Sequence, residues 1–221
     1  EALQNADDAG AGCFKVLLDL RNHGTTNLCF PGTASFQGPA LVTYNDAEFT
    51  ERDFESIQHV GGSLKRDAQA ETGKFGLGFN AAYHVTDMPS VLSRHLLAFL
   101  DPSTKLLDNT SNSGVMVEWA EHSHTDQLAP YRIFGNDFAG PFGGTIFRLP
   151  LRSAEHASAS RISQRAFSAA DAEKLLENFV GCLSELALFL QCVHTLEVAE
   201  WRDGEAAPTV RWQLRVRDEA R

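Results

Sequence analysis

The spacing of hydrophobic residues along this chain changes period several times, and each change marks an element. Leu3 and Ala6, with Ala9 beyond, form a helical stripe through the opening phrase Glu1–Ala9, and Gly10 or Gly12 is placed to cap its end. Glu1, Asn5 and Asp8, spaced four and three apart, share another face of that helix. Phe14, Val16, Leu18 and Leu20 then alternate with polar residues as a half-buried strand does. A polar connection over 21–38 leads to an apolar strand over Pro39–Tyr44, which runs into Asn45-Asp46. Thr50, with Asp53 three positions on, opens a helix in the manner of a capping box; Phe54, Ile57 and Val60 are its apolar side. Residues 61–71 are polar and carry Gly61, Gly62, Ser63 and Lys65, a composition suited to a lid over a site.

A helical run over Asn80–Val85 must end by Pro89, and short strands are predicted over Leu96–Leu100, Val115–Trp119 and Thr145–Leu151. The polar stretch Ala120–Gly143 between the last two reads as loop, its His122 and His124 as surface residues. Ser, Ala and Arg dominate from Ser153 to Ser168, which reads as a linker. The longest helix, Ala170–Val193, carries Leu175, Leu176, Phe179, Leu183, Leu186, Ala187 and Leu190 at core-facing spacing. Leu196–Trp201 and Val210–Val216 follow as a hairpin around Asp203-Gly204. The expected organisation is a domain over 1–152, a linker over 153–169, and a helix plus hairpin over 170–221 that begins a following domain.

Composition narrows the function more than the fold. With 221 residues, 43% of them hydrophobic, the chain can bury a sizeable core. A formal charge of -10 argues against a general nucleic-acid binder, which needs clustered Lys and Arg against phosphate. No apolar run is long enough to span a membrane. Cys13, Cys29, Cys182 and Cys192 are scattered without metal-binding spacing and read as reduced, mostly buried thiols of a cytoplasmic or nuclear protein. The chain opens inside a helical phrase without Met, so it reads as a fragment.

The candidate chemistry lies in Thr72–Asn80, Thr-Gly-Lys-Phe-Gly-Leu-Gly-Phe-Asn. Gly73, Gly76 and Gly78 let the backbone turn its N–H groups toward one point, and a helix starting behind them adds unpaired donors and the positive end of its dipole. That is a cradle for phosphate, or else a plain glycine turn between packed elements. It is neither a Walker loop, since Phe75 follows Lys74, nor a dinucleotide fingerprint, whose glycines come in the opposite order. The opening helix admits two readings as well: a solvent-exposed polar face, or a carboxylate that activates water beside an amide oxygen that binds Mg²⁺.

The joint order is more specific than any part: Glu-x-x-x-Asn on a helix, a polar strand end, the glycine turn, a Gly-Thr strand. It resembles the ATPase superfamily of gyrase, ninety-kilodalton heat-shock chaperones, histidine kinases and mismatch-repair proteins (GHKL), and within it sacsin-like ATP-binding modules. The resembling phrases are EALQNADDAGAG (1–12), QGPALVTYNDAEFT (37–50), TGKFGLGFNAAYHVTD (72–87), FLDP (99–102) and GGTIFRLPLR (143–152). The resemblance implies an α/β two-layer sandwich, a mixed and largely antiparallel sheet with helices on one face. It implies ATP and Mg²⁺ as cofactors, with Glu1 as the general base, Asn5 as the Mg²⁺ ligand, and Asp8 and Ala9 beside the nucleotide. Gly73, Gly76, Gly78 and Phe79 match the phosphate-binding turn, Thr145 a position near adenine, and Lys65 lies in the lid within reach of phosphate. The superfamily's adenine-reading Asp-x-Gly-x-Gly is replaced by Asn45-Asp46-Ala47-Glu48-Phe49, so either Asn45 or Asp46 could face the base. No arginine finger is evident in the first 152 residues; Arg148 and Arg152 lie on or just beyond a strand. The implied activity is slow Mg²⁺-dependent ATP hydrolysis driving a chaperone-like cycle, with ATP/ADP, a following domain of the same parent chain, and protein clients or co-chaperones as partners. The alternative is a nucleotide-binding scaffold without significant turnover; a histidine-kinase catalytic domain is disfavoured, because no phosphoacceptor helix is present.

Overall fold

A computed structural model describes residues 1–63, 79–107, 113–119 and 124–216, with only the backbone of 58–63. Eight strands form one sheet: β1 Cys13–Asp19, β2 Ala40–Asn45, β3 Ser90–Arg94, β4 Leu96–Leu100, β5 Gly114–Glu118, β6 Phe142–Pro150, β7 Thr195–Trp201 and β8 Thr209–Arg215. Their order is β5-β4-β3-β6-β2-β1-β7-β8. Every pairing is antiparallel except β1 with β7. The helices are α1 Ala2–Asp8, α2 Glu51–Ser63, α3 Thr125–Leu128, α4 Ala154–Ala159 and α5 Ala169–Leu186, with 3-10 turns at Pro31–Phe36, Phe79–His84 and Ala129–Tyr131. The architecture is the expected α/β one with a mixed, largely antiparallel sheet.

The period-two alternation sorts the sheet into two faces. On one, Leu3 and Ala6 of α1 and Leu183 of α5 pack on Phe14, Val16, Leu41, Leu196 and Val198. Farther along that face, Phe54 and Ile57 of α2 and Phe79 pack on Val91, Ala98 and Phe147. On the other face, Leu17, Val42, Leu92, Leu97, Phe99 and Ile146 are covered by Phe36, Leu128, Tyr131 and Ile133. The three longer helices thus share one face, and loops with short helices seal the other.

Local signals set the element ends. Gly10 terminates α1 at φ +78, a left-handed conformation that glycine adopts without a Cβ clash. The Asp53 carboxylate accepts from the Thr50 N–H at 2.9 Å and the Thr50 hydroxyl at 2.7 Å, and the Asp53 N–H bonds back to the Thr50 hydroxyl, which starts α2 as expected. Ser168 and Asp171 form the same box at the head of α5. That helix stops at Leu186, short of the expected Val193. Asp7 of α1 accepts the N–H groups of Gln191, Cys192 and Val193 at 2.7–2.8 Å and holds the chain in a turn there.

Two expectations meet a different structure. Residues 170–221 were expected to begin a following domain, yet β7 hydrogen-bonds to β1 and β8 to β7 in the same sheet. Their apolar residues share a core with α1 and β1, so the tail buries its hydrophobic face on residues from the start of the chain. The 153–169 stretch contains α4, whose His156 ring stacks on Phe36 with centroids 4.3 Å apart. All four cysteines are free, but Cys13 and Cys29 are half-buried and Cys182 and Cys192 exposed: Cys182 lies on the outer side of α5, Cys13 opens β1, and Cys29 and Cys192 lie in connections.

Candidate functional site

The sheet register brings the separated motifs together. Asn45, at the end of β2, pairs with Thr145 of β6, and Thr145 in turn with Ser93 of β3. All three side chains face the helices. Above them α1 and its caps contribute Glu1, Asn5, Ala6 and Ala9, and the stretch 79–85 contributes Phe79, Ala82 and Val85. The result is a cleft of about 240 Å³ with apolar walls, including Leu41, Phe49, Phe147 and Leu149, and a polar floor. Small-molecule sites combine apolar walls with a few fixed polar groups in this way.

The floor is a connected hydrogen-bond network. The Thr145 hydroxyl donates to the Ala47 carbonyl at 2.7 Å and lies 3.2 Å from the Ser93 hydroxyl. Ser93 donates to the Gly144 carbonyl at 2.6 Å and accepts from the Phe49 N–H at 3.0 Å. Asn45 Oδ1 accepts from the Ala47 N–H at 3.0 Å, a local side-chain turn that fixes the amide. Gly144 is required here: a Cβ would lie 2.7 Å from the Asn45 carbonyl oxygen and 2.8 Å from the Tyr44 ring. The Gly-Thr phrase therefore reflects close strand approach followed by a floor hydroxyl.

Among the sequence candidates, Glu1, Asn5, Ala9, Asn45, Phe79 and Thr145 line the cleft. Among the described residues the side chains of Glu1 and Asn5 make no hydrogen bond. Asp8 is exposed and does not line the cleft. Asp46, left open as an alternative to Asn45, turns away: its Oδ1 accepts from the Cys13 N–H at 2.9 Å and ties the start of β1 to the end of β2. Lys65, Gly73, Gly76 and Gly78 lie outside the described residues. Ser93 carries no sequence signal, because β3, with its serines three apart, shows no apolar period.

Both strand arginines are committed elsewhere. Arg148 donates to the carbonyls of Phe36 and Gly38 at 2.6 and 2.7 Å on the sealed face. Arg152, fully buried, holds Asp87 at 2.6 Å and donates to the Tyr83 carbonyl at 2.6 Å and that of Thr86 at 3.0 Å. It braces the stretch 83–87, and no Lys or Arg is among the described residues that line the cleft.

A second hollow, about 260 Å³, lies between Phe36, Lys105, His156 and Arg161. It is slightly larger, but it gathers none of the motif residues. Burial pushes the His156 imidazole down, and its Nδ1 has no partner among the described residues.

A family model described as the sacsin domain matches residues 1–213. The chain belongs to the sacsin family. Human sacsin is 34% identical over 228 residues, which cover 95% of this chain and 5% of that protein, so the chain spans about a twentieth of this relative's length. Among solved structures, the crystal structure of the N-terminal domain of a DNA repair protein superposes with a TM-score of 0.44 at 10% identity, over 96% of this chain and 49% of that one. Membership in the sacsin family agrees with the resemblance read from the motif order. Among the described residues of this sacsin-family chain, no helix is long and apolar enough to cross a membrane.

Proposed function

We propose that the cleft binds Mg·ATP and hydrolyses it slowly, powering a chaperone-like cycle in a cytoplasmic parent protein with a following domain and protein clients. The observation that carries this reading is the convergence of Glu1, Asn5 and Ala9 with Asn45 and with Thr145, which is over a hundred residues away in the chain, on one apolar-walled cleft. The base would rest on the floor between β2 and β6, and the phosphates would extend toward the segment that precedes Phe79. Mg²⁺ takes one or two protein oxygens and completes its shell with phosphate and water. The unpartnered Asn5 amide oxygen fits that role. Bound Mg²⁺ would offset phosphate charge. Glu1, uncommitted at the rim, is placed to take a proton from water. Phosphoryl transfer needs such positioning more than covalent chemistry.

One observation favours the scaffold alternative. With Arg148 and Arg152 both spent, no Lys or Arg is among the described residues that line the cleft. Calorimetric titration with Mg·ATP, followed by phosphate release, separates the readings. Glu1→Gln should bind normally and hydrolyse roughly 10²–10⁴-fold more slowly, whereas Asn5→Ala should weaken the Mg²⁺-dependent part of binding. ATP binding without any turnover supports the scaffold; no binding at millimolar Mg·ATP defeats both.

A further inference from the structure

The geometry points to a cleft that accepts 6-oxopurine nucleotides alongside adenine nucleotides, with Asn45 as the residue that sets this tolerance. The inference rests on the nucleotide reading of the same cleft and concerns which base it takes.

The orientation of the Asn45 amide follows from its partner. A backbone N–H can only donate, so the side-chain atom 3.0 Å from the Ala47 nitrogen is the oxygen. The Nδ2 amino group is then left over, two protons with no partner among the described residues, on a side chain that is 8% exposed and lines the cleft. Beside it, Thr145 has spent its single proton on the Ala47 carbonyl, at 2.7 Å. Thr145 is itself fully buried, so the polar group that the floor turns to the cleft is the Asn45 amide. The floor therefore offers a donor to the base.

Both purine edges can meet that donor. Adenine accepts at N1 and a 6-oxopurine at O6, and a shift of the base within its plane brings one acceptor to the place of the other. A carboxylate at position 45 would behave otherwise: it only accepts, so it would welcome adenine N6 and set a negative oxygen against O6. Asp46 is bonded to the Cys13 N–H, Asp53 caps α2 through Thr50, and Glu48 is half exposed and faces Arg94 at 3.9 Å.

The test is equilibrium binding of Mg·ATP, Mg·ITP and Mg·GTP to the protein and to Asn45→Asp. Asn45→Asp keeps an oxygen for the Ala47 N–H, and a melting curve without nucleotide checks that it folds as before. The protein should bind ATP and ITP within about tenfold of one another, and Asn45→Asp should keep ATP while weakening ITP and GTP by roughly 10–100-fold, the usual cost of an opposed buried polar pair. ITP weaker than ATP by more than about 100-fold in the unaltered protein, or an unchanged ATP-to-ITP ratio in Asn45→Asp, overturns the inference and leaves the nucleotide reading standing. Failure of all three nucleotides to bind overturns both.

Discussion

The two faces of the sheet are built from the same strands and treat their polar groups differently. On the loop-covered face, the polar side chains are spent on protein partners: Ser90 on the Tyr131 hydroxyl at 2.6 Å, Thr33 on Gln127 at 2.8 Å, and Arg148 on two carbonyls. Asp19 is held there by Arg21 and His23, and the Arg21 guanidinium lies 3.4 Å over the Trp201 ring, joining the ends of β1 and β7. On the helix face, Asn45 is also fixed from behind, but its amide nitrogen keeps hydrogen-bonding capacity toward an open cleft. A buried polar group satisfied by its own chain specifies the fold. One satisfied on one side only is poised for a ligand. Thr145 and Ile146, adjacent in β6, stand on opposite sides of this division.

The sharpest way to test the division is to cut the sealed side. Ile146→Ala, at a fully buried position, should lose about 2–5 kcal/mol in denaturant unfolding, with Mg·ATP affinity of the folded protein unchanged. A matching loss of affinity would show that the two faces are not separable.

The next effect in size is pH-dependent and also belongs to the sealed face. Burial pushes the Asp19 carboxyl up, but hydrogen bonds and charge from Arg21 and His23 outweigh it and hold it well below the usual carboxylate range. A depressed carboxylate contributes stability that is present above its unfolded value, about 3.9, and is lost as pH falls through its folded value. Stability should therefore drop by an order of 1–3 kcal/mol below about pH 4. In Asp19→Asn this component should be missing at neutral pH, and the acid branch flatter; the same acid slope in both proteins would place the titration elsewhere.

The smallest stability effect should carry the largest binding effect. Thr145→Val removes one floor hydroxyl and leaves the Ala47 carbonyl without it, which should cost about 1 kcal/mol of stability and about tenfold in Mg·ATP affinity. Asp46→Ala should cost a similar amount of stability through the Cys13 N–H and leave affinity unchanged. Equal affinity losses in the two would contradict the assignment of Asn45, rather than Asp46, to the cleft.

Much of this was legible along the chain because it is local. The helix start at Thr50, the turn at Gly10 and seven strands follow from capping, glycine and alternation. What escaped is non-local. β3 follows Pro89 with Ser-Val-Leu-Ser-Arg, too polar to show a period, and is a strand because β4 and β6 flank it. The tail joins the first domain through β1–β7, a parallel pairing between residues about 180 positions apart that no composition shift reveals. The site divides in the same way. Residue types at Glu1, Asn5 and Thr145 pointed to chemistry, but the choice between Asn45 and Asp46 depended on which neighbour took each oxygen.

The central claim, that a nucleotide base lies on the floor between β2 and β6, is tested most directly by photolabelling with 2-azido-ATP in the presence of Mg²⁺ and mapping the adducts by mass spectrometry. Adducts should fall within 1–12, 41–49 or 143–149, and excess unlabelled ATP should suppress them. Adducts confined to the hollow around Lys105, His156 and Arg161, or labelling that ATP does not suppress, would contradict it.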